Sequence, residues 1–207
     1  MFVNPFRPLP QTVEIGGRHI PVNPDFRVFV ALEMQAEKSG CDLSSVVQEF
    51  YCGKIPHDVE KAVEKFIAFY FCREANENEA PETGKGKDAG KCYDFAQDAD
   101  ALLASFLDAY GIDLSTAKLH WWTFRRLMLN LPPETPFMQR IKYRTADLSR
   151  MNKEERSHYI KMRSIYALKT SGEAMTVEQR DMALKEKVRR RYEEARRYVE
   201  ENRAKEG

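Results

Sequence analysis

The amino-acid sequence predicts a mainly α-helical protein: a multi-helix bundle with a small N-terminal β-hairpin and a long charged C-terminal helix. Apolar residues recur at steps of three and four along most of the chain, which is the spacing of one helical face. Residues that begin or end helices, such as Asn, Asp, Pro and Gly, flank these stretches. Near the N-terminus, Gly16-Gly17 separates two short β-favouring runs, Thr12–Ile15 and Arg18–Val22, which is typical of a two-residue hairpin turn.

Length and composition indicate a globular protein. The chain has 207 residues, of which 43% are hydrophobic and 31% are charged. A chain of this length can bury a core without disulfides or a metal, and its hydrophobic share excludes a disordered protein. No apolar run in the sequence approaches the ~20 residues that cross a bilayer, and the first residues lack the apolar stretch of a signal peptide. We therefore expect a cytoplasmic protein without a membrane partner.

The sequence pattern divides the chain into four segments. Residues 1–72 are predicted to form an extended arm, the β-hairpin and a helical subdomain. Residues 73–92 are predicted to be a flexible loop, because they contain glycines and a proline and lack large apolar side chains. Residues 93–170 are predicted to form a helical core. Residues 171–207 are predicted to form the charged C-terminal helix, which a capping-box pattern opens at Thr176.

Asparagine, proline and glycine bound the helices of the N-terminal half. Asn23-Pro24 predicts the start of a helix that ends at Gly40. A short helix is predicted from Ser44 to Tyr51, and Pro56 is predicted to open the next one. The apolar stripe of that third helix consists of Val59, Val63, Phe66 and Tyr70.

Two helices around Gly111 form the centre of the predicted helical core. The first runs from Asp94 to Tyr110, and Gly111 ends it. Asp113 is predicted to cap the second, which continues to Pro132-Pro133. Because this second helix is apolar around most of its circumference, we expect its two tryptophans to lie in the core.

Two further helix starts follow from local signals. Thr135-Pro136 places a proline at the first helical position. Asn152 with Glu155 three residues later has the form of a capping box. We expect a helix after each of these signals.

Three aspartates, Asp94, Asp98 and Asp100, allow two interpretations. Carboxylates on one helical face would be able to bind Mg²⁺, which defines a metal-dependent enzyme as an alternative. Acidic residues at a helix start also interact favourably with the helix dipole, and we favour this interpretation. His120 has no Cys, Ser or second His at a meaningful spacing, so we expect it to pack in the core. The sequence therefore predicts no catalytic residue, no cofactor and no metal site.

Positive charge is concentrated in the second half of the chain. Residues 111–207 carry 22 Lys and Arg against 14 Asp and Glu, and basic stretches such as TFRRL contain aromatic residues. This pattern allows nucleic-acid binding through the basic C-terminal half. In the last helix, however, arginines alternate with glutamates such as Glu193 and Glu194, which is typical of a solvated helix with ion pairs four residues apart. Nucleic acid is therefore the less favoured partner.

The cysteines are predicted to be free thiols. They are Cys41, Cys52, Cys72 and Cys92. No Cys-x-x-Cys pair occurs among them, and no His completes a zinc pattern. Cys52 and Cys72 lie among aromatic residues, so we expect both to be buried.

Four stretches of the C-terminal half resemble the core of the bacteriophage Gp15 family: YDFAQDADALLASFLDAYGIDL, LHWWTFRRLMLNLPPETPF, YRTADLS and YIKMRSIYAL. The resemblance covers residues 93–168 and extends more loosely to NPDFRVFVALE and FIAFYF in the N-terminal half. The combination of Tyr-Gly-Ile-Asp-Leu with Leu-His-Trp-Trp carries most of its specificity. Proteins of this family belong to the tail gene clusters of long-tailed phages and prophages.

The resemblance implies a role in tail morphogenesis. Genes of this kind commonly lie between those for the major tail protein and the tape measure protein. This position implies a non-enzymatic tail assembly chaperone that binds the tape measure protein in the host cell cytoplasm. Other phage tail proteins and a second copy of the chain are further partners that the resemblance allows. A structural tail component and a nucleic-acid-binding protein are the alternatives.

A chaperone for a helical client needs an apolar surface, and laying a helix in a groove is the simplest way to provide one. The thin apolar stripe of the last predicted helix is the first candidate for this surface. Its partner-binding residues are Val177, Leu184, Val188, Tyr192 and Val199. Exposed members of the tryptophan-containing segment, Tyr93–Leu127, are the second candidate.

Overall fold

A computed structural model describes residues 8–36, 44–72 and 92–169 of the chain. These residues form two compact units. The first unit comprises the described residues up to 72 together with 119–125, and the second unit comprises the rest. In chain order, the elements are β1 (Thr12–Ile15), β2 (Arg18–Pro21), α1 (Phe26–Ala36), α2 (Ser44–Phe50), α3 (Val59–Tyr70), α4 (Ala99–Tyr110), α5 (Trp121–Leu129), α6 (Pro136–Thr145) and α7 (Lys153–Ile165).

The described part of the chain is mainly helical, with seven helices and one two-stranded antiparallel sheet. This confirms the predicted helical class and its N-terminal hairpin. The predicted C-terminal helix at 171–207 lies outside the described residues, as does the predicted loop at 73–92 except for its last residue. Among the helices of the described part, none is long and apolar enough to cross a membrane.

The hairpin forms where the glycine pair predicts it. β1 and β2 pair antiparallel, with Thr12 opposite Pro21. Gly16 and Gly17 in the turn have φ angles of 57° and 73°. Both turn positions require the left-handed region, which glycine enters without a steric penalty. Ile15 is buried and β1 packs against α3, which supports a hairpin too short to be stable alone.

Phe29 of α1 lies at the centre of the aromatic core of the first unit. Its side chain is fully buried, and its ring stacks on those of Phe66, Phe69 and Trp121 at centroid distances of 5.8, 5.7 and 5.0 Å. Phe50 of α2 meets Phe29 edge-on at 5.7 Å. Such aromatic pairs contribute about 0.5–1.5 kcal/mol each beyond the burial of their area. The apolar faces of the N-terminal helices therefore share one core.

In the second unit, α6 packs against both α4 and α7. Ser105 of α4 is fully buried, and its hydroxyl accepts a hydrogen bond from the backbone N–H of Phe137 at 3.0 Å. Ser105 thereby satisfies one of the N–H groups that are left over at the start of α6. Thr135 precedes α6 as predicted, but its hydroxyl donates to the carbonyl of Pro132 at 2.7 Å.

Two predicted helix boundaries are confirmed in detail. Gly111 ends α4 with a φ of 65°, and its N–H donates to the carbonyl of Leu107 at 2.9 Å, which is the bond of an αL cap. Before α7, the side chain of Asn152 accepts from the N–H of Glu155 at 2.9 Å. The Glu155 carboxylate accepts from the N–H of Asn152 at 3.3 Å, which completes the predicted capping box.

The predicted start of the helix after Asp113 is wrong, because α5 begins only at Trp121. The carbonyl of Asp113 accepts from the N–H of Ala117 at 2.8 Å and so closes a separate turn. His120 then pairs with Asp25 in an isolated antiparallel β-bridge. This pairing with a distant part of the chain keeps the backbone extended before α5, and it overrides the local helical pattern.

Three other helices begin later than predicted. α1 begins at Phe26 rather than at Pro24. α3 begins at Val59 rather than at Pro56, and the side chain of Asp58 caps it. α4 begins at Ala99 rather than at Asp94. Before α4, Asp94 closes a turn, since its carbonyl accepts from the N–H of Asp98 at 2.8 Å, and the helix starts after that turn.

The predicted burial of two cysteines is wrong. Cys52 is exposed and Cys72 is half-buried. Each follows the last residue of a helix by two positions and has a positive φ, of 52° and 59° respectively. The left-handed conformation is common just after a helix end, where the chain turns away from the core. Neighbouring aromatic residues in the sequence therefore do not surround these side chains.

Candidate functional site

The tryptophan pair of α5 lies in the core of the first unit, as predicted. Trp121 and Trp122 are both buried. The indole N–H of Trp121 donates to the carbonyl of Tyr70, and that of Trp122 donates to the carbonyl of Phe69, each at 2.8 Å. These carbonyls belong to the last residues of α3, where the regular helical ladder supplies no donor. The tryptophan pair thus caps the C-terminus of α3.

Arg125, one turn further along α5, adds to the same cap. Its Nη1 donates to the carbonyl of Tyr70 at 3.0 Å, and its guanidinium lies 5.7 Å from the centroid of the Tyr70 ring. A cation is favourable at the negative end of a helix dipole, and an aromatic face attracts it as well. This arginine of the TFRRL stretch therefore holds the fold of the first unit together.

His120 is half-buried and uses both ring nitrogens in hydrogen bonds. Its Nδ1 accepts from the backbone N–H of Trp122 at 3.0 Å. Its Nε2 lies 2.9 Å from the carbonyl oxygen of Pro10, to which an N–H can donate. The two bonds together select the neutral tautomer with the proton on Nε2. His120 therefore caps the start of α5, which agrees with the predicted structural role.

The start of α5 is joined to the start of α1 through the backbone. The N–H of Phe26 donates to the carbonyl of Leu119 at 3.1 Å. The N–H of Trp121 donates to the carbonyl of Pro24 at 2.7 Å. Leu-His-Trp-Trp is therefore an anchoring motif of the first unit. The carbonyl of Leu119, the ring of His120 and the N–H groups of the two tryptophans all bond within that unit.

Asp98, a candidate metal ligand in the sequence, is instead the acceptor of a buried ion pair in the second unit. Its side chain has no exposed surface. Arg144 donates to both carboxylate oxygens, at 2.6 and 2.8 Å. Arg140 donates to Oδ1 at 3.1 Å, and the backbone N–H of Asp94 donates to Oδ2 at 3.1 Å. The carboxylate is therefore fully occupied by donors of the protein itself.

Two opposed effects set the pKa of Asp98. Burial is the largest single effect and by itself raises the pKa. The hydrogen bonds from Arg144, from the N–H of Asp94 and from Arg140 act in the other direction and together outweigh burial. The pKa of Asp98 is therefore held below its ordinary value, and the carboxylate is charged at neutral pH.

The same arginine fastens the end of α7. Arg144 donates through Nε to the carbonyl of Tyr166 at 2.6 Å and through Nη1 to the carbonyl of Cys92 at 3.0 Å. Gln97 adds two bonds, since its Nε2 donates to the carbonyl of Ala167 at 2.8 Å and its Oε1 accepts from the N–H of Lys169 at 2.9 Å. Asp98 thus lies at the centre of a network that closes the second unit.

The other two aspartates do not join Asp98 in a cation site. Asp94 accepts from the N–H of Gln97 at 2.7 Å, and Asp100 is exposed in the first turn of α4. Within the described ranges, no group of three or more His, Cys, Asp or Glu side chains is arranged to hold a metal ion. The favoured interpretation, acids at a helix start, fits Asp100, but it misses the arginine pairs of Asp98.

The spacing of two arginines in the sequence indicates this ion pair, which the apolar pattern and the helix-start residues did not predict. Arg140 and Arg144 are four residues apart, so they lie on one face of α6. Two cations on the inward face of a helix need an acidic partner. The sequence does not say which acid supplies it, because Asp98 lies 46 residues from Arg144.

Several basic side chains of the second unit are bonded within the fold. Arg163 of α7 donates through Nε to the carbonyl of Tyr143 at 3.1 Å and through Nη2 to the carbonyl of Ala146 at 2.5 Å. Arg140 and Arg144 are paired with Asp98. These three arginines contribute to the positive charge that the sequence suggested for nucleic acid, yet their donors are used to hold helices together.

The predicted partner-binding residues lie outside the described residues. They are Val177, Leu184, Val188, Tyr192 and Val199. Large exposed apolar side chains do occur in the described part, and all of them belong to the second unit: Leu103, Leu107, Leu129, Ile160 and Ile165. Two of these, Leu103 and Leu107, are members of the tryptophan-containing segment that was the second candidate surface.

Comparison with known proteins adds the remaining observation. The family model described as Bacteriophage Gp15 protein matches residues 7–168. The match therefore includes the N-terminal half, where the resemblance of the sequence was looser. Neither the curated proteins nor the solved structures contain a match to the chain. Because the family match spans most of its length, the chain belongs to the bacteriophage Gp15 protein family, which indicates a structural or morphogenesis protein of a phage.

Proposed function

We propose that this protein is a non-enzymatic tail assembly chaperone that binds the tape measure protein in the cytoplasm of the infected host cell. The observation that carries the proposal is the family match over residues 7–168. The motifs that resemble proteins of phage tail gene clusters lie within the matched range. They support the step from phage morphogenesis in general to the tail.

The bonding of the chemically versatile side chains supports the non-enzymatic part of the proposal. A general base or a metal ligand needs a free lone pair to reach a substrate or an ion. The carboxylate of Asp98 accepts from two arginines and a backbone N–H, and both nitrogens of His120 lie in hydrogen bonds. These groups therefore act in folding.

Exposed apolar side chains of the second unit support the binding part. Leu103 and Leu107 lie one turn apart on α4, and both are exposed. Single exposed leucines are ordinary in globular proteins, but two on one helix face offer a surface on which a client helix can pack. A chaperone needs such a surface before its client is present.

Co-expression with the tape measure protein of the same phage tests the proposal. We expect the two proteins to copurify, both with the full chain and with a chain that carries a tag at either end. A chain that stops at residue 175 tests the candidate stripe of Val177, Leu184, Val188, Tyr192 and Val199. If the shortened chain recovers the client as well as the full chain does, these five residues are not the binding surface.

Purified virions separate a chaperone from a structural tail component. A chaperone leaves the tail after assembly, so we expect mass spectrometry of purified particles to find the major tail protein without this chain. Detection of the chain in amounts comparable to those of other tail proteins would instead identify a structural component.

A further inference from the structure

The outward face of α4 carries a continuous stripe of exposed residues. We define the α4 stripe as Asp100, Leu103, Ala104, Leu107 and Asp108. Their spacing of three and four residues places them on one side of the helix. The opposite side is buried and consists of Ala101, Leu102, Ser105 and Phe106. α4 therefore has a second apolar edge that the protein covers only in part.

The leucines of the stripe are more exposed than the fold requires. Leu103 is 39% exposed and Leu107 is 58% exposed. A polar residue at either position would leave the buried side of α4 unchanged. A partner that covers the exposed parts of both leucines would remove further apolar surface from water, which favours binding.

Negative charge borders the two leucines at both ends. Asp100 and Asp108 are the charged residues of α4, which contains no Lys or Arg between Ala99 and Tyr110. Asp108 follows Asp100 by eight positions, which is about 12 Å along the helix axis. Electrostatic complementarity therefore favours a partner helix whose apolar edge is bordered by Lys or Arg at a similar separation.

The apolar surface continues beyond the C-terminus of α4. The hydroxyl of Tyr110 lies 3.0 Å from the carbonyls of both Leu127 and Asn130. Leu129 lies between these two residues and is 65% exposed. Because Tyr110 follows Leu107 by about one turn, Leu107 and Leu129 belong to the same end of the second unit.

We infer that the α4 stripe is the docking site for a basic amphipathic helix of the client protein. This inference rests on the proposed function, which supplies the client. It goes further in naming the surface and the chemistry of the segment that binds there. Leucines supply the affinity, while Asp100 and Asp108 select clients with a basic border and speed their association.

To test the inference, overlapping peptides from the tape measure protein are titrated with the full chain. Fluorescence anisotropy measures their binding. We expect the peptides that bind to have apolar residues three and four apart with Lys or Arg on either side. Replacing both leucines, Leu103→Gln and Leu107→Gln, should weaken binding by at least about tenfold, since a contact of ~1.4 kcal/mol changes affinity by that factor. Ile160→Gln, which changes an exposed apolar residue on α7, is the matched control and should bind as the natural chain does.

A charge reversal tests the second half of the inference separately. Asp108→Lys places a cation in the last turn of α4, where the helix dipole favours it, so a loss of binding would not reflect unfolding. We expect this change to weaken binding several-fold at low salt and much less at high salt, because salt screens exposed charges. Glu134→Lys, an exposed acid of the same unit, is the control that should leave binding unchanged.

The outcomes distinguish the inference from the function on which it rests. If no peptide and no intact tape measure protein binds the natural chain, the proposed function fails. If the natural chain binds and the double leucine variant binds equally well, the α4 stripe is not the site and the function stands. Light scattering adds one more outcome: a dimer of the natural chain that the double leucine variant abolishes would show that a second copy occupies the stripe, which overturns the inference.

Discussion

Asp98 is a buried charge whose neighbours hold it in place. Its side chain has no exposed surface, and that of Arg144 is 7% exposed. Moving both ions out of water has a large desolvation cost, which their bidentate contact offsets only while both partners are present. The intact ion pair therefore contributes little net stability. Removal of one partner, however, leaves the other buried without a counter-charge.

Asp98→Asn should destabilise the protein by about 3–5 kcal/mol, because Arg144 stays buried while its counter-charge is lost. The free energy of unfolding in urea, followed by circular dichroism, measures the effect. Asp100→Asn removes a charge of the same type from an exposed position and should change the stability by less than about 0.5 kcal/mol. Equal effects of the two changes would show that the pair is not a buried one.

The lowered pKa of Asp98 also predicts a dependence of stability on pH. Between its folded pKa and the ordinary value of about 3.9, the unfolded chain binds more protons than the folded chain does. The free energy of unfolding should therefore fall as the pH drops through this window and be constant for this group above it. Urea titrations at a series of acidic pH values measure this slope. In Asp98→Asn the slope of stability against pH should be smaller. An unchanged slope would mean that the pH dependence comes from exposed acids whose pKa is also lowered, which are Asp58, Asp113 and Asp147.

At the scale of elements, α5 is a short helix whose hydrogen bonds to α1 and α3 lie at the ends of those helices. Its start is bonded to the start of α1 through Leu119 and Trp121. Its two indoles and Arg125 are bonded to the end of α3. Three donors on one helix therefore satisfy the last carbonyls of another, which fixes how these elements meet more strictly than apolar packing alone would.

Trp122→Phe should cost about 1–3 kcal/mol, because it keeps an aromatic ring but removes a buried hydrogen bond and some packed volume. Loss of the cap should also loosen the last turn of α3. Hydrogen exchange at the backbone amides of Tyr70, Phe71 and Cys72 should therefore be faster in the variant than in the natural chain. Exchange at the amides of α7 should change less. Leu129→Ala, a change at an exposed position of the same helix, should alter neither quantity. A uniform increase of exchange throughout the chain would mean that Trp122 contributes to the core but not to a cap.

At the scale of the whole molecule, buried polar groups are bonded in both units, whereas the large exposed apolar side chains of the described part occur in one. Of the side chains that could have suggested a catalytic or metal site, Asp94, Asp98, Arg140, Arg144 and His120 are bonded inside one unit or the other, whereas Asp100 is exposed. The large apolar side chains that are exposed in the described part belong to the second unit.

Magnesium provides a test of that distribution for the intact protein. A ligand that binds only the folded state raises the melting temperature, by an amount set by its concentration relative to its dissociation constant. Because Asp94, Asp98 and Asp100 do not share a site, we expect millimolar Mg²⁺ or Mn²⁺ to leave the melting temperature unchanged. A sodium salt at the same ionic strength is the control. A rise with the divalent ions that is lost in Asp100→Asn would revive the metal-dependent alternative.

The sequence by itself determined the features that local chemistry controls. Gly16-Gly17 specified the hairpin, Gly111 the end of α4, and Asn152 with Glu155 the start of α7, because the groups that interact lie within a few residues of one another. The apolar periodicity also identified the tryptophans as core residues. Family membership could be recognised from the quoted motifs for the same reason, since a motif is a local pattern.

Only the tertiary structure decided which distant groups meet. Arg144 reaches Asp98 across 46 residues, and the indole of Trp121 reaches Tyr70 across 51. The bridge between Asp25 and His120 moved the start of α5 away from the place that Asp113 favours. Local propensities of a fraction of a kcal/mol per residue cannot encode such pairings, whereas a buried ion pair or a capped helix end outweighs them once the chain has folded.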